Sequence, residues 1–386
     1  MRNFLVLGAG KMGVVLARDL IDSHPDNRVT LVDIDFDRLK SAARFVQSDR
    51  LVPLQRNVED KVQREGVFEN QDVALCALLH KHSLMTLETA VGKKVHFVDL
   101  VGEFTLERMA FDQKAQKKDL TILSGVGVSP GITNVCVGRA VFLLDKTENA
   151  QIYVGGNPVE PKPPLNYRIV YAVNSLLGLY DRQVPILEKG EPKTVAPLSG
   201  LENIRFSAPF QDMECFYTDG LSSLFYTMQG KVQGFLYEKT IRHKGHAGGI
   251  EILKSCGLFS KKAVRINNQD VVPRAVLEAL LDERIRLGDE QDVTLLRIKV
   301  NGKKEEKSLT HVFEMVDYYD SEKNYTSMAK TTSFPASVAA QMIVGGTITK
   351  RGVLFPEDVF YDHLYEPFMQ ELRKRGVEVS HEISME

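Results

Sequence analysis

Four cysteines are spread over 386 residues, at Cys76, Cys136, Cys215 and Cys256, and no two are close enough to make a Cys-x-x-Cys pair. That scarcity signals neither a structural zinc site nor a small disulfide scaffold, and it fits a reducing cytoplasm. The chain has almost no charge excess: 49 Lys+Arg stand against 51 Asp+Glu, a formal net charge of -2. There is thus no global field to gather nucleic acid or an anionic membrane surface, and neither partner is expected. Long hydrophobic runs are missing too. The longest, such as Val73 to Leu79, fall well short of the ~20 residues that span a bilayer as a helix, and no basic n-region or cleavage site precedes the Asn3–Leu7 segment. A soluble protein is expected. What the chain does have is 43% hydrophobic residues, enough to bury substantial cores, and a length that favours two domains.

Over residues 3–125, short apolar runs alternate with amphipathic segments. Phe4–Leu7, Val29–Val32, Val73–Leu78, Val95–Val98 and Leu120–Leu123 read as buried strands, with a weaker one near Leu51–Leu54. Helical patterns between them make βαβ units, and right-handed crossovers turn these into an open, doubly wound parallel sheet, an α/β Rossmann domain. The rhythm fades beyond Ser129, which reads as the N-cap of a helix from Pro130 to Leu144. Gly155-Gly156-Asn157-Pro158 and the prolines at 161, 163 and 164 then form a turn-rich entry that should interrupt any central strand. Strands at Gly234–Arg242 and Asp292–Val300, with helices at Ala247–Cys256 and Arg274–Arg286, point to a second, α+β domain. The expected division is 1–125 for the nucleotide-binding domain, 126–333 for a substrate and oligomerisation domain, and a return to the first domain over 334–386. Helices Phe334–Val344 and Asp362–Arg375 lie in that last stretch, and Thr331, Thr332 and Ser333 read as helix capping.

Gly8-Ala9-Gly10-Lys11-Met12-Gly13 is G-x-G-x-x-G directly after a strand and at the opening of a helix. Gly8 allows the tight turn, Gly10 lets backbone approach a pyrophosphate, and Gly13 lets helix pack on strand, while the helix N-terminus offers N–H groups to the phosphates. Asp33 ends the next strand 20 residues after Gly13, where a carboxylate accepts from the ribose hydroxyls and disfavours the extra phosphate of NADP. NAD is the expected cofactor. Asp35 reads as a turn or cap, and Arg38 as a residue for stacking on adenine or, less readily, for reaching a 2′-phosphate.

Further along, Gly125-Val126-Gly127-Val128-Ser129-Pro130-Gly131-Ile132-Thr133-Asn134 is followed by Gly155-Gly156 with its prolines and by Phe216-Tyr217-Thr218-Asp219-Gly220-Leu221. Lys239-Thr240-Ile241-Arg242-His243-Lys244-Gly245-His246 and Gly352-Val353-Leu354-Phe355-Pro356-Glu357 complete the set. Together these segments resemble the saccharopine dehydrogenase family, with the nearest likeness to its lysine 6-dehydrogenase branch. The sequence departs from the family pattern at Asn157 and Val126. The resemblance implies a second domain like that of glyceraldehyde-3-phosphate dehydrogenase, an active site between the domains, and a homodimer or homotetramer. It also implies NAD-dependent oxidation of the side-chain amine of L-lysine to a semialdehyde that cyclises to a piperideine carboxylate, with release of ammonia. The alternatives are a saccharopine-type reductase using NADP or NAD, whose longer substrate would recruit Arg168, Lys239 or Lys244, and a non-catalytic NAD-binding sensor.

Amine oxidation needs a base, because hydride leaves carbon only once the nitrogen lone pair is free. Asp99, closing the Val95–Val98 strand, should project from the edge where ligands collect, with Glu103 four residues later. His80, after the strand that ends near Leu79, could line the nicotinamide crevice, and His82 follows it. Alternation along Gly234–Arg242 puts Glu238, Thr240 and Arg242 on one face of the strand. Arg242 offers a planar fork for an α-carboxylate, Thr240 a hydroxyl, and His243 and His246 proton carriers. Lys239 would be a base if buried, and Tyr217-Thr218-Asp219 a loop that closes over substrate. The bland readings are a cap for Asp99, a loop residue for His80 and a solvated sheet face around Arg242. No metal site is expected.

Overall fold

The computed structural model describes residues 1–169, 173–288 and 290–385. The chain forms two compact units. The first comprises Met1–Asp145, Ser222–Thr227 and Ala329–Val379. Its elements run β1 (Arg2–Leu7), α1 (Lys11–Ser23), β2 (Asn27–Asp33), α2 (Phe36–Val46), β3 (Leu51–Gln55), α3 (Lys61–Val67) and β4 (Val73–Cys76). There follow α4 (Ser83–Lys93), β5 (His96–Asp99), α5 (Thr105–Met109), α6 (Asp112–Lys117), β6 (Thr121–Ser124) and α7 (Ile132–Leu143).

All strand pairs in this sheet are parallel, in the order β6-β5-β4-β1-β2-β3, and the late strand Gly352–Leu354 pairs with β6 at the far edge. This is the doubly wound Rossmann arrangement. Strand order reverses between β1 and β4, which opens a crevice at their C-terminal ends. Phe4 to Leu7 have no solvent exposure, because a parallel sheet is covered on both faces. On one face Leu5, Leu7, Ala74 and Cys76 pack with Leu87 and Ala90 of α4.

The second unit comprises Lys146–Leu221, Met228–Met328 and Ser380–Glu386. Its core is a mixed sheet in which the strand Lys146–Pro158 lies parallel to Leu236–His243 on one side and antiparallel to Asp292–Lys304 on the other. Neighbouring residues on the strand Met213–Tyr217 feed separate cores. Phe216 joins Tyr167, Tyr180 and Ile250, whereas Cys215 joins Met213, Ile241 and Leu295.

Several expectations are corrected. The Gly155–Pro158 stretch does not interrupt a strand but completes a 13-residue central one. Glycine is needed there, since a Cβ on Gly155 would lie 2.3 Å from the Ile241 carbonyl oxygen. Ser129 is not the cap of α7, whose N-cap is Gly131, with φ +139°. Thr331, Thr332 and Ser333 lie inside the helix Ser327–Val344, which carries Pro335 within it and starts before the expected Phe334. The first unit runs to Asp145 rather than 125 and resumes at Ala329, and the final strand Ser380–Met385 belongs to the second unit. Among the described residues no helix is long and apolar enough to cross a membrane, and no group of His, Cys, Asp or Glu is arranged to hold a metal ion.

Candidate active site

At the crevice between β1 and β4 the glycine turn is built as close packing demands. Gly8 has φ +102°, and a Cβ on it would lie 2.8 Å from the Ala77 carbonyl oxygen; one on Gly13 would lie 1.8 Å from the Gly8 carbonyl oxygen. Gly10 differs, since a Cβ there would meet nothing within 4 Å. That open space lies over the start of α1, whose N-cap makes no side-chain hydrogen bond and whose first turn has no acidic residue. A pyrophosphate fits such an end, where N–H groups and the helix dipole remain available. Lys11 is exposed, Met12 is half-buried, and the Met12 carbonyl accepts from Ser333 Oγ at 2.8 Å.

Asp33 is 7% exposed at the end of β2. Its Oδ2 accepts from Ala9 N–H at 2.7 Å and its Oδ1 from Asp35 N–H at 2.9 Å. The carboxylate is therefore locked against the glycine turn, and each oxygen keeps a lone pair for a ribose hydroxyl. Asp35 caps α2, accepting from the Asp37 and Arg38 amides, and Arg38 pairs with Asp35 at 3.4 Å.

Beside this edge, the notion of Asp99 as a free base is corrected. Asp99 has no solvent exposure and is ion-paired with Arg108 at 2.9 Å, both side chains being wholly buried. It also accepts from Ser83 Oγ at 2.5 Å and Val101 N–H at 2.8 Å, and Arg108 reaches Ser124 Oγ, Ser83 Oγ and the Glu103 carbonyl. The carboxylate is the hub of a network tying together the ends of β5 and β6 and the start of α4. Glu103 is exposed. His80 lies in the 3-10 turn His80–His82 just past β4, exposed, its ring 6.3 Å from that of Phe104. His82 is half-buried, and burial followed by the charge of Lys81 lowers its pKa.

In the second unit the strand Leu236–His243 is buried along its whole length, so the face carrying Thr240 and Arg242 is neither solvated nor open. Arg242 donates to Thr240 Oγ1 at 3.1 Å, to the Ile241 carbonyl at 2.8 Å and to Tyr180 Oη at 3.3 Å, and it stacks over Tyr167. Thr240 Oγ1 in turn donates to the Val154 carbonyl. His246 is corrected as a proton carrier. It is wholly buried, with Nδ1 2.9 Å from the Leu165 carbonyl and Nε2 2.9 Å from Tyr180 Oη. Burial, aided by Arg242, pushes its pKa down to about 3, which leaves it neutral and structural. His243 is held by the Pro158 carbonyl at 2.8 Å. Lys239 is buried between Tyr217 and Tyr237, donating to the Gly200 carbonyl and pairing with Glu202 at 2.9 Å. The 217–219 segment is fastened as well, with Asp219 paired to Arg182 at 3.0 Å.

Two groups escaped sequence reasoning. Arg108 sits in an unremarkable charged stretch, and nothing local marks its burial. Glu357 and Asn134 each lie in segments noted above, and only the fold joins them, at 2.9 Å.

Comparison with known proteins bears on both units. Residues 4–123 match the family profile described as the saccharopine dehydrogenase NADP binding domain, and residues 127–377 the saccharopine dehydrogenase C-terminal domain. Saccharopine dehydrogenase [NADP(+), L-glutamate-forming] of Pyricularia oryzae is 20% identical, with 99% of each chain covered. The Schizosaccharomyces pombe protein of the same name is 35% identical over 133 residues, 34% of this chain and 28% of that one. Among solved structures, apo saccharopine dehydrogenase (L-Glu forming) from Saccharomyces cerevisiae superposes with a TM-score of 0.81 at 19% identity, all of both chains being covered, and so shares the fold. Two domain profiles, met in order and spanning nearly the whole length, make this chain a member of the saccharopine dehydrogenase family of oxidoreductases.

Proposed function

We propose that the protein is an NAD-dependent amino-acid dehydrogenase that breaks, or in reverse forms, a carbon–nitrogen bond in a substrate of the saccharopine class. The observation that carries this reading is the Asp33 carboxylate, held by the Ala9 amide at the mouth of an uncapped helix with open space above Gly10. A dinucleotide bound there would supply the hydride acceptor or donor. The chain's own residues would hold the phosphates on the first turn of α1 and the ribose on Asp33. His80 supports the proton-transfer role best, because Asp99 is sealed in an ion pair and His246 is neutral in a core.

The relatives named above are NADP enzymes, whereas in this chain the Asp33 carboxylate stands at the ribose position against the glycine turn and Asp35 follows two residues on, with Arg38 already paired to it. That charge balance favours NAD. For the substrate, full-length similarity favours saccharopine. A second reading, oxidation of L-lysine at its side-chain amine, draws support from the state of the cationic anchors that the two further carboxylates of saccharopine would need. Arg168 is paired with Glu290, Lys239 with Glu202 and Lys244 with Asp212.

One assay tests all of this: reduced nicotinamide is followed at neutral and alkaline pH with NAD or NADP and saccharopine, L-lysine or L-ornithine. Turnover with NAD and saccharopine is expected, together with loss in His80→Gln at unchanged NADH affinity. Turnover with lysine alone selects the second reading, preference for NADP overturns the cofactor assignment, and silence with every pair removes the enzyme reading.

A further inference from the structure

A buried acid stands outside the chemistry above. Glu357, on the short helix Pro356–Val359, is 3% exposed. Its Oε2 accepts from Asn134 Nδ2 at 2.9 Å, its Oε1 from Thr227 Oγ1 at 2.8 Å, and the Ser223 hydroxyl is a third donor. Burial, with Asp358 adding repulsion, raises its pKa, against the neutral donors Ser223, Asn134 and its own backbone N–H, which lower it. A carboxyl group held by neutral donors, with no ion-pair partner among the described residues, is costly to bury for stability alone, since an apolar side chain of that volume would avoid the desolvation.

The donors lead to the ligand edge of the sheet. Asn134 Oδ1 accepts from Gly131 N–H at 3.0 Å, and Gly131 closes the turn in which Gly127 N–H donates to the Pro130 carbonyl and Ile132 N–H to the Gly127 carbonyl. The Pro130 ring lies against Gly102 and Gly125, so the loops after β5 and β6 are packed against each other. Ser222 Oγ donates to the Gly102 carbonyl at 2.7 Å, and Asn134 Nδ2 to Ser223 Oγ at 3.0 Å. Two separate pieces of chain, 125–134 and 222–227, thus converge on one acceptor, and Gly102 is tied to both through Pro130 and Ser222, at the C-terminal ends of the strands, where ligands bind in open α/β sheets.

We infer that Glu357 is a positioning residue. Through Asn134 and Thr227 it sets the glycine-rich loop Gly125–Gly131 and the segment Ser222–Thr227 against the reacting end of the dinucleotide. It touches neither substrate nor cofactor. This assignment rests on the oxidoreductase reading above.

Glu357→Gln in the full chain is the test, because the amide keeps the volume but turns a donor toward Asn134 or Thr227. Thr227 can respond by giving its hydroxyl wholly to the Ser223 carbonyl, 3.1 Å away, which frees the segment without a void. Hydrogen exchange at residues 125–134 and 222–227 should rise about 10-fold while Gly8–Gly13 stay as protected as before, the loss of ~1.4 kcal/mol that one hydrogen bond supplies. With the substrate that turns over, kcat should fall about 10-fold at unchanged KM and NADH affinity, Thr227→Val should give the same split, and the double variant should lose no more than either. Exchange that is unchanged, or raised uniformly along the chain, overturns the assignment, as does local loosening with kcat intact. If the unaltered protein turns over no amine, the oxidoreductase reading fails by itself, and the exchange pattern still decides whether Glu357 holds the two segments.

Discussion

Asp99 and His246 illustrate how a side chain's chemistry depends on what surrounds it. Both sit where sequence position suggests a proton carrier, and both are committed to holding structure. Asp99→Asn should therefore act first on stability: it leaves the Arg108 guanidinium buried without its counter-ion, a loss of about 3–5 kcal/mol. Urea unfolding checks this, and a variant as stable as the parent but inactive would restore Asp99 as the base. His246 makes a pH prediction. Its folded-state pKa, about 3, lies below the ordinary 6.5, so its stabilising contribution is complete above pH 6.5 and drains away as the pH falls, because the unfolded chain takes up a proton that the folded one refuses. The slope is about 1.4 kcal/mol per pH unit, hence about 2 kcal/mol lost by pH 5. His246→Gln, which can still donate to the Leu165 carbonyl and accept from Tyr180, should flatten the fall of the urea midpoint between pH 7.5 and 5. An unaltered slope would mean that His246 is not the group responsible.

Elements that bury a regular stripe were legible in the sequence, and those built for a special neighbour were not. The β1–α1–β2 unit announces itself because strand, glycine turn, helix and Asp33 each follow the local pattern that the fold requires. The strand Lys146–Pro158 is hidden by Gly155-Gly156 and Pro158, since the glycines answer to the close approach of Ile241 and not to any turn. Strand β3, the weakest of the expected strands, is real and lies at the sheet edge. Val29 N–H donates to the Arg50 carbonyl and Arg56 N–H to that of Asp33, so even-numbered backbone groups of β3 face β2 and odd-numbered ones face away. Pro53 stands in the middle of that outer edge, removing the N–H with which another strand would pair. Pro53→Val should restore a pairing edge and raise concentration-dependent self-association, visible as earlier elution in size exclusion at unchanged secondary structure. An elution profile identical to the parent's across concentrations would show that the proline guards nothing.

Over the whole molecule, the divisions of the chain were the hardest feature to read, because they are set by partners distant in sequence. Each unit is assembled from three separate pieces, and no composition shift marks the passage of Ser222–Thr227 into the first unit or of Ser380–Met385 into the second. The same holds for the site: Arg108 and Glu357 become functional candidates only when β5 meets α5 and α7 meets the residues after Gly352. The most distant of these partnerships closes the nucleotide-binding sheet. Gly352–Leu354 pairs with β6, Thr121 Oγ1 donates to the Lys350 carbonyl at 2.7 Å, and Ser337 Oγ and Arg375 both bind the buried Asp19 of α1. A fragment of residues 1–125 contains the whole glycine fingerprint and Asp33, yet it exposes the β6 edge and leaves Asp19 without its cation. It should melt without cooperativity, aggregate, and bind NADH at least about 10-fold more weakly than the full chain, given that a cofactor site needs its strands and helix fixed before it can hold a ligand. Nicotinamide fluorescence gives the affinity cleanly, since the chain contains no tryptophan. Cooperative unfolding and full affinity in that fragment would show that the late segments decorate the nucleotide domain and do not complete it.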